Sequence, residues 1–200
     1  MYRGGETTLS AFAILFFALL LFFWRFEKRA IQTEEIVMIA LISALAALVR
    51  IPFGAIPSVQ PTSFIVIMAG FVFGAQSGFI TGALAALLSN FFLGQGPWTP
   101  WQMVAWGLMG FTAGLLRHTF VMKNKYARVL FGIVWGFLFG WFMNLWYLFM
   151  MPVEGFWGLW LTSCIASFPF DCNHAIANAV CLLFFSAPWL RIFARIQKKH

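Results

Sequence analysis

The chain alternates between long apolar segments and short polar or basic connections. The first apolar segment runs from Leu9 to Trp24. Six others follow, and these are Glu35–Ile51, Ser63–Phe73, Gly78–Leu93, Thr99–Leu116, Val129–Met151 and Pro169–Leu190. A helix needs about 20 mostly apolar residues to cross a bilayer core of about 30 Å. The pattern therefore predicts an all-α membrane protein in which a six-helix bundle follows one extra N-terminal transmembrane helix.

Two segments fit this pattern less well than the others. Ser63–Phe73 would give roughly 17 Å of helix at 1.5 Å per residue, so it must borrow flanking residues, tilt beside longer neighbours or thin the bilayer locally. We still predict a span there, because otherwise two basic segments would lie on opposite faces. Val153–Phe168 is apolar enough for a helix, but we predict a loop or an interfacial helix, with Pro169 opening the last helix.

The basic residues set the predicted orientation. Of 13 Lys and Arg residues, 11 fall in three clusters between or beside apolar segments. The clusters are Arg25, Lys28 and Arg29, then Arg117, Lys123, Lys125 and Arg128, then Arg191, Arg195, Lys198 and Lys199. Basic loops mark the cytoplasmic face of a membrane protein. We therefore expect a multi-pass protein of the cell membrane, with its N-terminus outside and its C-terminus in the cytoplasm.

Composition limits the class of protein further. The chain is 62% hydrophobic and only 10% charged, whereas soluble domains carry about 25% charged residues. We predict an anchor helix and basic linker over residues 1–34 and one membrane domain over residues 35–200. The pI near 9.9 fits basic loops beside anionic lipid, so no nucleic-acid partner is predicted. The three cysteines show no C-x-x-C spacing and are interpreted as structural thiols.

No catalytic motif stands out. The chain has no P-loop motif for ATP hydrolysis, and no nucleophile–base pair or carboxylate dyad. No second His or carboxylate accompanies His174 at a spacing that would make a metal site. The sequence therefore predicts no enzyme, no catalytic residue, no resident metal and no cofactor.

Small residues recur at a spacing of four in two segments, and each series ends in an asparagine. One series is Gly78, Gly82, Ala86 and Asn90, and the other is Gly132, Gly136, Gly140 and Asn144. Small residues on one helix face allow close approach of a neighbouring helix. An unpaired amide in hydrocarbon costs several kcal/mol, so each asparagine needs a neighbouring helix, water or a ligand as its partner.

Other polar and aromatic side chains share this position, at the segment ends that point away from the basic clusters. Asp171, His174 and Asn178 lie on one face of the last predicted helix, although Asp171 is alternatively a helix cap and His174 a structural residue. Trp98 and Trp101 are either interface anchors or flat walls for a ring system. These positions predict a cup that opens outward. Its candidate ligand contacts are Asn90, Gln95, Trp98, Trp101, Gln102, Asn144, Tyr147, Asp171, His174 and Asn178.

Three stretches of the sequence carry a resemblance to a known family. Ala40-Leu41-Ile42-Ser43-Ala44 fits an Ala-x-x-x-Ala motif, and Gln60–Ser63 and Ser89–Gln102 hold a more specific pattern of Gln, Asn, Gly, Pro and Trp. Over Glu35–Leu190 the chain resembles the substrate-binding S components of energy-coupling factor (ECF) transporters. The second and third stretches resemble a subgroup associated with cobalamin. The extra N-terminal helix departs from the family's six-helix pattern.

The resemblance implies a function. The protein would bind a vitamin, with cobalamin or a related corrinoid favoured, and deliver it inward with a transmembrane coupling subunit and two cytoplasmic ATPases. The resemblance also implies a docking surface for the coupling subunit, made of Ala40, Ser43, Ala44 and Ala47. Three alternatives stay open. These are an S component for another vitamin, a membrane-embedded enzyme subunit acting on a lipid or isoprenoid, and a scaffold for another membrane protein.

Overall fold

The computed structural model describes residues 4–28, 33–150 and 155–197, and this part of the chain is helical without a strand. Its helices are α1 (Gly4–Glu27), α2 (Thr33–Phe53), α3 (Pro61–Phe73), α4 (Ala75–Leu93), α5 (Thr99–Leu115), α6 (Phe120–Lys123), α7 (Lys125–Met150) and α8 (Phe156–Gln197). Arg29, Lys198 and Lys199 lie outside the described residues, as do the first two residues of the predicted Val153–Phe168 loop. The prediction of an all-α membrane protein, with a six-helix bundle and one extra N-terminal helix, is confirmed.

Short connections give the bundle two distinct ends. The polar end holds the C-termini of α2, α4 and α7 and the N-termini of α3, α5 and α8. The opposite end, here called the basic end, holds most of the predicted basic clusters. There, Gly74 makes the tight turn between α3 and α4 with φ of 96°, a backbone conformation that favours glycine. A Cβ atom at Gly74 would lie 2.7 Å from Nη1 of Arg117, so the turn and the basic residue are in contact.

The short helix α3 lies inside the bundle. Its residues from Thr62 to Gly70 are all buried, and it contacts α2, α4, α5, α7 and α8. A helix enclosed by protein does not have to match the thickness of the bilayer, which explains how 13 residues suffice. Around it, the helices α1, α2, α4, α7 and α8 are each long and apolar enough to cross a membrane.

The small-residue series form close contacts between helices. A Cβ atom at Gly78 of α4 would lie 2.6 Å from Cα of Gly70 and 2.7 Å from the carbonyl carbon of Gly110. In the other helix pair, a Cβ atom at Gly136 of α7 would lie 2.6 Å from Cα of Ala175. These backbone contacts hold α4 against α3 and α5, and α7 against α8. The packing role predicted for both series is confirmed.

The last helix is much longer than predicted. α8 begins at Phe156 and contains both Pro169 and Pro188. The prediction that Pro169 opens the last helix is therefore wrong, and residues 156–168 are the first part of α8 and not a loop. Its 42 residues extend about 63 Å at 1.5 Å per residue, which is about twice the thickness of the hydrocarbon core.

Packing against α7 explains why this helix continues through a proline. The indole Nε1 of Trp160 donates a hydrogen bond to the carbonyl of Trp141 at 3.0 Å, and the rings of Phe149 and Phe156 lie 5.2 Å apart. A proline inside a helix removes one backbone hydrogen bond. The contacts that α7 makes on both sides of Pro169 offset this cost.

The additional helix α1 packs on the side formed by α4, α5 and α7. The ring of Phe22 stacks on Phe79 at 3.8 Å and meets the edge of Phe111 at 5.1 Å. In this position α1 leaves the outer face of α2 accessible. On that face Ala40 is exposed and Leu41 is 60% exposed.

Candidate functional site

Hydrogen-bonded polar side chains toward the polar end form three groups. The first, called the Arg50 cluster, comprises Arg50, Gln60, Ser89, Asn90, Gln95, Thr99 and Gln102. The second, the Ser63 junction, comprises Ser63, Trp106 and His174. The third, the Asp171 cluster, comprises Asn144, Cys164, Ser167 and Asp171. Eight of these residues are not among the ligand contacts predicted from the sequence. Each group therefore combines predicted and unpredicted residues.

Arg50 is the centre of the first cluster. It lies in the last turn of α2 and is 7% exposed. Its Nη1 donates to Oγ of Ser89 at 2.7 Å and to Oδ1 of Asn90 at 2.6 Å, while Nε donates to Oε1 of Gln60 at 3.3 Å. The guanidinium carbon lies 4.8 Å from the centroid of the Trp106 ring, a cation–π distance.

Asn90 connects this cation to the start of α5. Its Oδ1 accepts from Arg50, and its Nδ2 donates to Oγ1 of Thr99 at 3.0 Å and to Oε1 of Gln102 at 2.8 Å. Thr99 in turn donates to Oε1 of Gln95 at 2.9 Å. The asparagine that ends the first small-residue series therefore finds its partners within the protein, as a buried amide must.

The Ser63 junction joins three helices just below the Arg50 cluster. Ser63 lies in α3, and its Oγ accepts a hydrogen bond from Nε1 of Trp106 in α5 at 2.9 Å. The same oxygen lies 2.6 Å from Nε2 of His174 in α8. The imidazole is 2% exposed, and its ring meets the edge of Phe139 at 5.0 Å. One hydroxyl therefore satisfies two buried ring nitrogens at once.

The Asp171 cluster lies between α7 and α8. Nδ2 of Asn144 donates to Oγ of Ser167 at 3.0 Å, and Ser167 donates to Oδ2 of Asp171 at 3.1 Å. Gly140 makes room for this carboxyl group, since a Cβ atom there would lie 2.7 Å from Cγ of Asp171. Because α8 begins 15 residues earlier, at Phe156, the interpretation of Asp171 as a cap of the helix N-terminus is wrong.

The other predicted contacts have separate surroundings. Asn178 donates to the carbonyl of Gly132 at 2.9 Å, and its buried Oδ1 has no hydrogen-bond partner among the described residues. Tyr147 donates to Ser163 across α7 and α8. Trp98 meets Trp146 edge-on at 5.7 Å, and Trp101 stacks against Phe149 at 5.6 Å. Gln95 is exposed, whereas Trp101 is buried.

A large apolar groove, separate from the three groups of polar side chains, is lined by residues of α2, α3 and α8. Its volume is about 610 Å³, and its wall includes Leu45, Val49, Phe64, Asn173 and Trp189. None of the ten predicted ligand contacts lines it. The predicted contacts pack against one another and against neighbouring helices, and do not surround this space. In the part of the chain that the structure describes, no three His, Cys, Asp or Glu side chains group as metal ligands would.

The predicted docking residues lie on two faces of α2, one toward the surface and one buried. Ala40 is exposed and Ala44 is half-buried. Ser43 and Ala47 are buried, and Ser43 donates to the carbonyl of Ile39 at 2.7 Å. The exposed residues of α2 include Ala40, Leu41, Leu45 and Leu48.

Arg50 is the most informative residue that sequence reasoning missed. Gln60, Ser63, Ser89, Thr99 and Trp106 were missed as well. Arg50 lies at the end of an apolar segment, apart from the three basic clusters, and an ionisable residue inside such a segment is by itself an indication of function. That signal was available in the sequence.

Comparison with known proteins agrees with this architecture. The sequence profile of the family described as "ECF transporter, substrate-specific component" matches residues 34–185. No curated protein and no solved structure shows significant similarity to the chain. The match covers nearly all of α2, all of α3 to α7 and most of α8, and it excludes α1. The chain therefore belongs to the family of substrate-specific components of ECF transporters.

Proposed function

We propose that this chain binds cobalamin or a related corrinoid and delivers it inward as the substrate-specific subunit of a vitamin transporter. The observation that carries the proposal is the Arg50 cluster. Its members other than Arg50 come from residues 60–63 and 89–102, the stretches that resemble the cobalamin-associated subgroup, and Arg50 joins the two. A corrinoid carries many amides at its rim, which suit side chains that both donate and accept hydrogen bonds.

The ten ligand contacts named from the sequence form part of this proposal. Most of them bond to other side chains of the polar end, as Asn144 does to Ser167. Ligand binding would exchange these hydrogen bonds for bonds to the amides of the corrinoid. Such an exchange is energetically feasible because one amide bond replaces another of similar strength.

Purified protein should bind cobalamin at micromolar concentration or below. Asn144→Ala and His174→Ala should each weaken binding more than about fivefold, or about 1 kcal/mol, because each removes a hydrogen-bonding group of the proposed site. Asn173→Ala is the matched control, since its amide donates only to the carbonyl of Pro57 among the described residues. Titration followed by visible absorbance measures the affinity, and native mass spectrometry detects a copurified corrinoid. Wild-type protein that binds no corrinoid contradicts the substrate, and unaffected variants contradict the site.

Membership of the family implies a transmembrane coupling subunit and ATPases as partners. We place the basic end and the C-terminus in the cytoplasm, with residues 1–34 as a separate anchor before the 35–200 domain. The support for this orientation is that Lys28, Arg117, Lys123 and Arg191 all belong to connections or helix ends at the basic end. An epitope at the C-terminus that antibodies reach without permeabilising the cells would contradict it.

Ala40→Trp should prevent copurification of the coupling subunit and ATPases. The indole would project from the exposed face of α2 and hold apart two helices that otherwise approach through small residues. Cobalamin binding should be retained, because Ala40 lies far along α2 from Arg50. The matched control is Ala166→Trp on the exposed face of α8, which should leave the complex intact. Normal copurification of the Ala40→Trp protein would exclude this docking surface.

A further inference from the structure

Arg50 is a buried cation whose hydrogen-bond acceptors are all uncharged. They belong to Gln60, Ser89 and Asn90, and no carboxylate among the described residues pairs with the guanidinium. A charge inside a membrane bundle is costly unless another charge compensates for it. For this reason, ionisable residues within membrane helices usually mark sites where an ion or a substrate binds.

The hydrogen bonds of Arg50 leave one side of its guanidinium group available. Nε and Nη1 donate to the cluster, whereas Nη2 has no acceptor among the described residues. Nη2 carries two N–H donors in the fixed plane of the guanidinium group. The bond from Nε to Gln60, in the loop before α3, is the longest of the three. The guanidinium group is therefore held least tightly on the side of this loop.

Arg128 shows what a purely structural arginine looks like in this bundle. It is also buried, near the basic end. Both of its terminal nitrogens are engaged, and its buried Nε has no hydrogen-bond partner among the described residues. Nη1 donates to the carbonyl of Met122, and Nη2 donates to Oγ of Ser186 at 2.9 Å. These bonds tie the connection around α6 to α8. Arg50 differs because one of its terminal nitrogens remains available at the polar end.

We propose that Nη2 of Arg50 binds an oxyanion of the transported ligand, either a phosphodiester or a carboxylate. This inference rests on the proposed function. The hydrogen bonds that Nη1 donates to Ser89 and Asn90 fix the plane of the guanidinium, and a fixed arginine fork matches the geometry of an oxyanion. In cobalamin the oxyanion is the phosphodiester that links the corrin ring to its nucleotide base. In other vitamins it would be a carboxylate.

The test compares a corrinoid that has this group with one that lacks it. The full chain is purified in detergent and titrated with cobalamin and with cobinamide, which lacks the phosphodiester together with the nucleotide base attached through it. Arg50→Gln should weaken cobalamin binding about 10- to 100-fold and weaken cobinamide binding by a clearly smaller factor, so that the ratio of the two affinities falls. Arg128→Gln should not change the ratio of the two affinities. Because an unfolded variant would lose both ligands, cobinamide binding also reports on folding.

A second variant keeps the test decisive if Arg50→Gln does not fold. Arg50→Lys retains the charge but loses the planar fork, so it should weaken cobalamin binding by a smaller factor than Arg50→Gln and again affect cobinamide less than cobalamin. Unchanged cobalamin binding, or an equal loss for both corrinoids in monodisperse Arg50→Lys protein, overturns the assignment of Arg50 and leaves the substrate proposal intact.

Wild-type protein that binds neither corrinoid overturns the substrate proposal. The role of Arg50 as an oxyanion site is then tested with other vitamins. Nicotinate, pantothenate and biotin carry a carboxylate, whereas riboflavin and pyridoxine carry no oxyanion. Preferential binding of a carboxylate vitamin, weakened at least tenfold by Arg50→Gln, supports the oxyanion site. Preference for a vitamin without an oxyanion overturns it, and binding of none of the five overturns both proposals.

Discussion

Gly110→Ala should lower the free energy of unfolding by about 3 kcal/mol, which corresponds to a fall of roughly 6–12 °C in Tm. Gly110 of α5 faces the backbone of Gly78 in α4. A Cβ atom at Gly110 would lie 2.6 Å from the carbonyl carbon of Gly78 and 3.0 Å from its Cα. Backbone atoms cannot rotate away as a side chain can, so α4 and α5 would have to separate. Thermal unfolding in detergent measures the effect.

The same substitution at Gly158 provides the control. Gly158 is an exposed residue of α8, and nothing lies within 4 Å of where its Cβ atom would be. Alanine there should raise stability by about 0.5–1 kcal/mol, because glycine is a poor helix former. Equal effects of the two substitutions would show that the contact between α4 and α5 is not a close backbone contact.

The spacing of small residues predicted which face of a helix packs, but not which helix packs against it. Gly78 and Gly136 were recognised because each belongs to a series at a spacing of four. Their partners, Gly110 and Ala175, lie in other helices. Periodicity along one helix says nothing about the rotation of the helix that faces it, so the pairings became clear only from the structure.

The last helix shows how packing overrides a local rule. Proline is favoured in the first turn of a helix, so Pro169 was interpreted as a helix start. Phe156 and Trp160, which precede it, instead contact Phe149 and Trp141 of α7. A local signal for a helix start was weaker than these contacts.

The sequence predicted where polar side chains collect, but not which of them are hydrogen-bonded to one another. The sequence indicated that polar groups collect at one end of the bundle, and Asn90 and Gln102 do bond to each other there. It did not show that Arg50 joins them, because arginine was used to assign orientation only. Small hydroxyls such as Ser63 and Ser89 were missed because serine within a membrane helix commonly bonds to its own backbone.

Ser63→Ala should destabilise the bundle by about 3 kcal/mol, although it removes a single oxygen atom. Nε1 of Trp106 and Nε2 of His174 both depend on that oxygen, and both rings are almost completely buried. Each buried polar group left without a partner costs about 1–3 kcal/mol. The loss also reaches three helices, since α3, α5 and α8 meet at this hydroxyl. Thermal unfolding in detergent should show a Tm fall comparable to that of Gly110→Ala.

Ser43→Ala is the control for Ser63→Ala. It removes a buried hydroxyl without leaving another side chain unpaired. Ser43 is equally buried, but its hydroxyl donates only to the carbonyl of Ile39 within the same helix, and that carbonyl keeps its backbone hydrogen bond. Its replacement should therefore cost less than about 1 kcal/mol. In a Trp106→Phe background, Ser63→Ala should also cost less than in the wild type, because one of the two orphaned nitrogens is already gone. Equal costs in the two backgrounds would mean that Ser63 does not hold the indole in place.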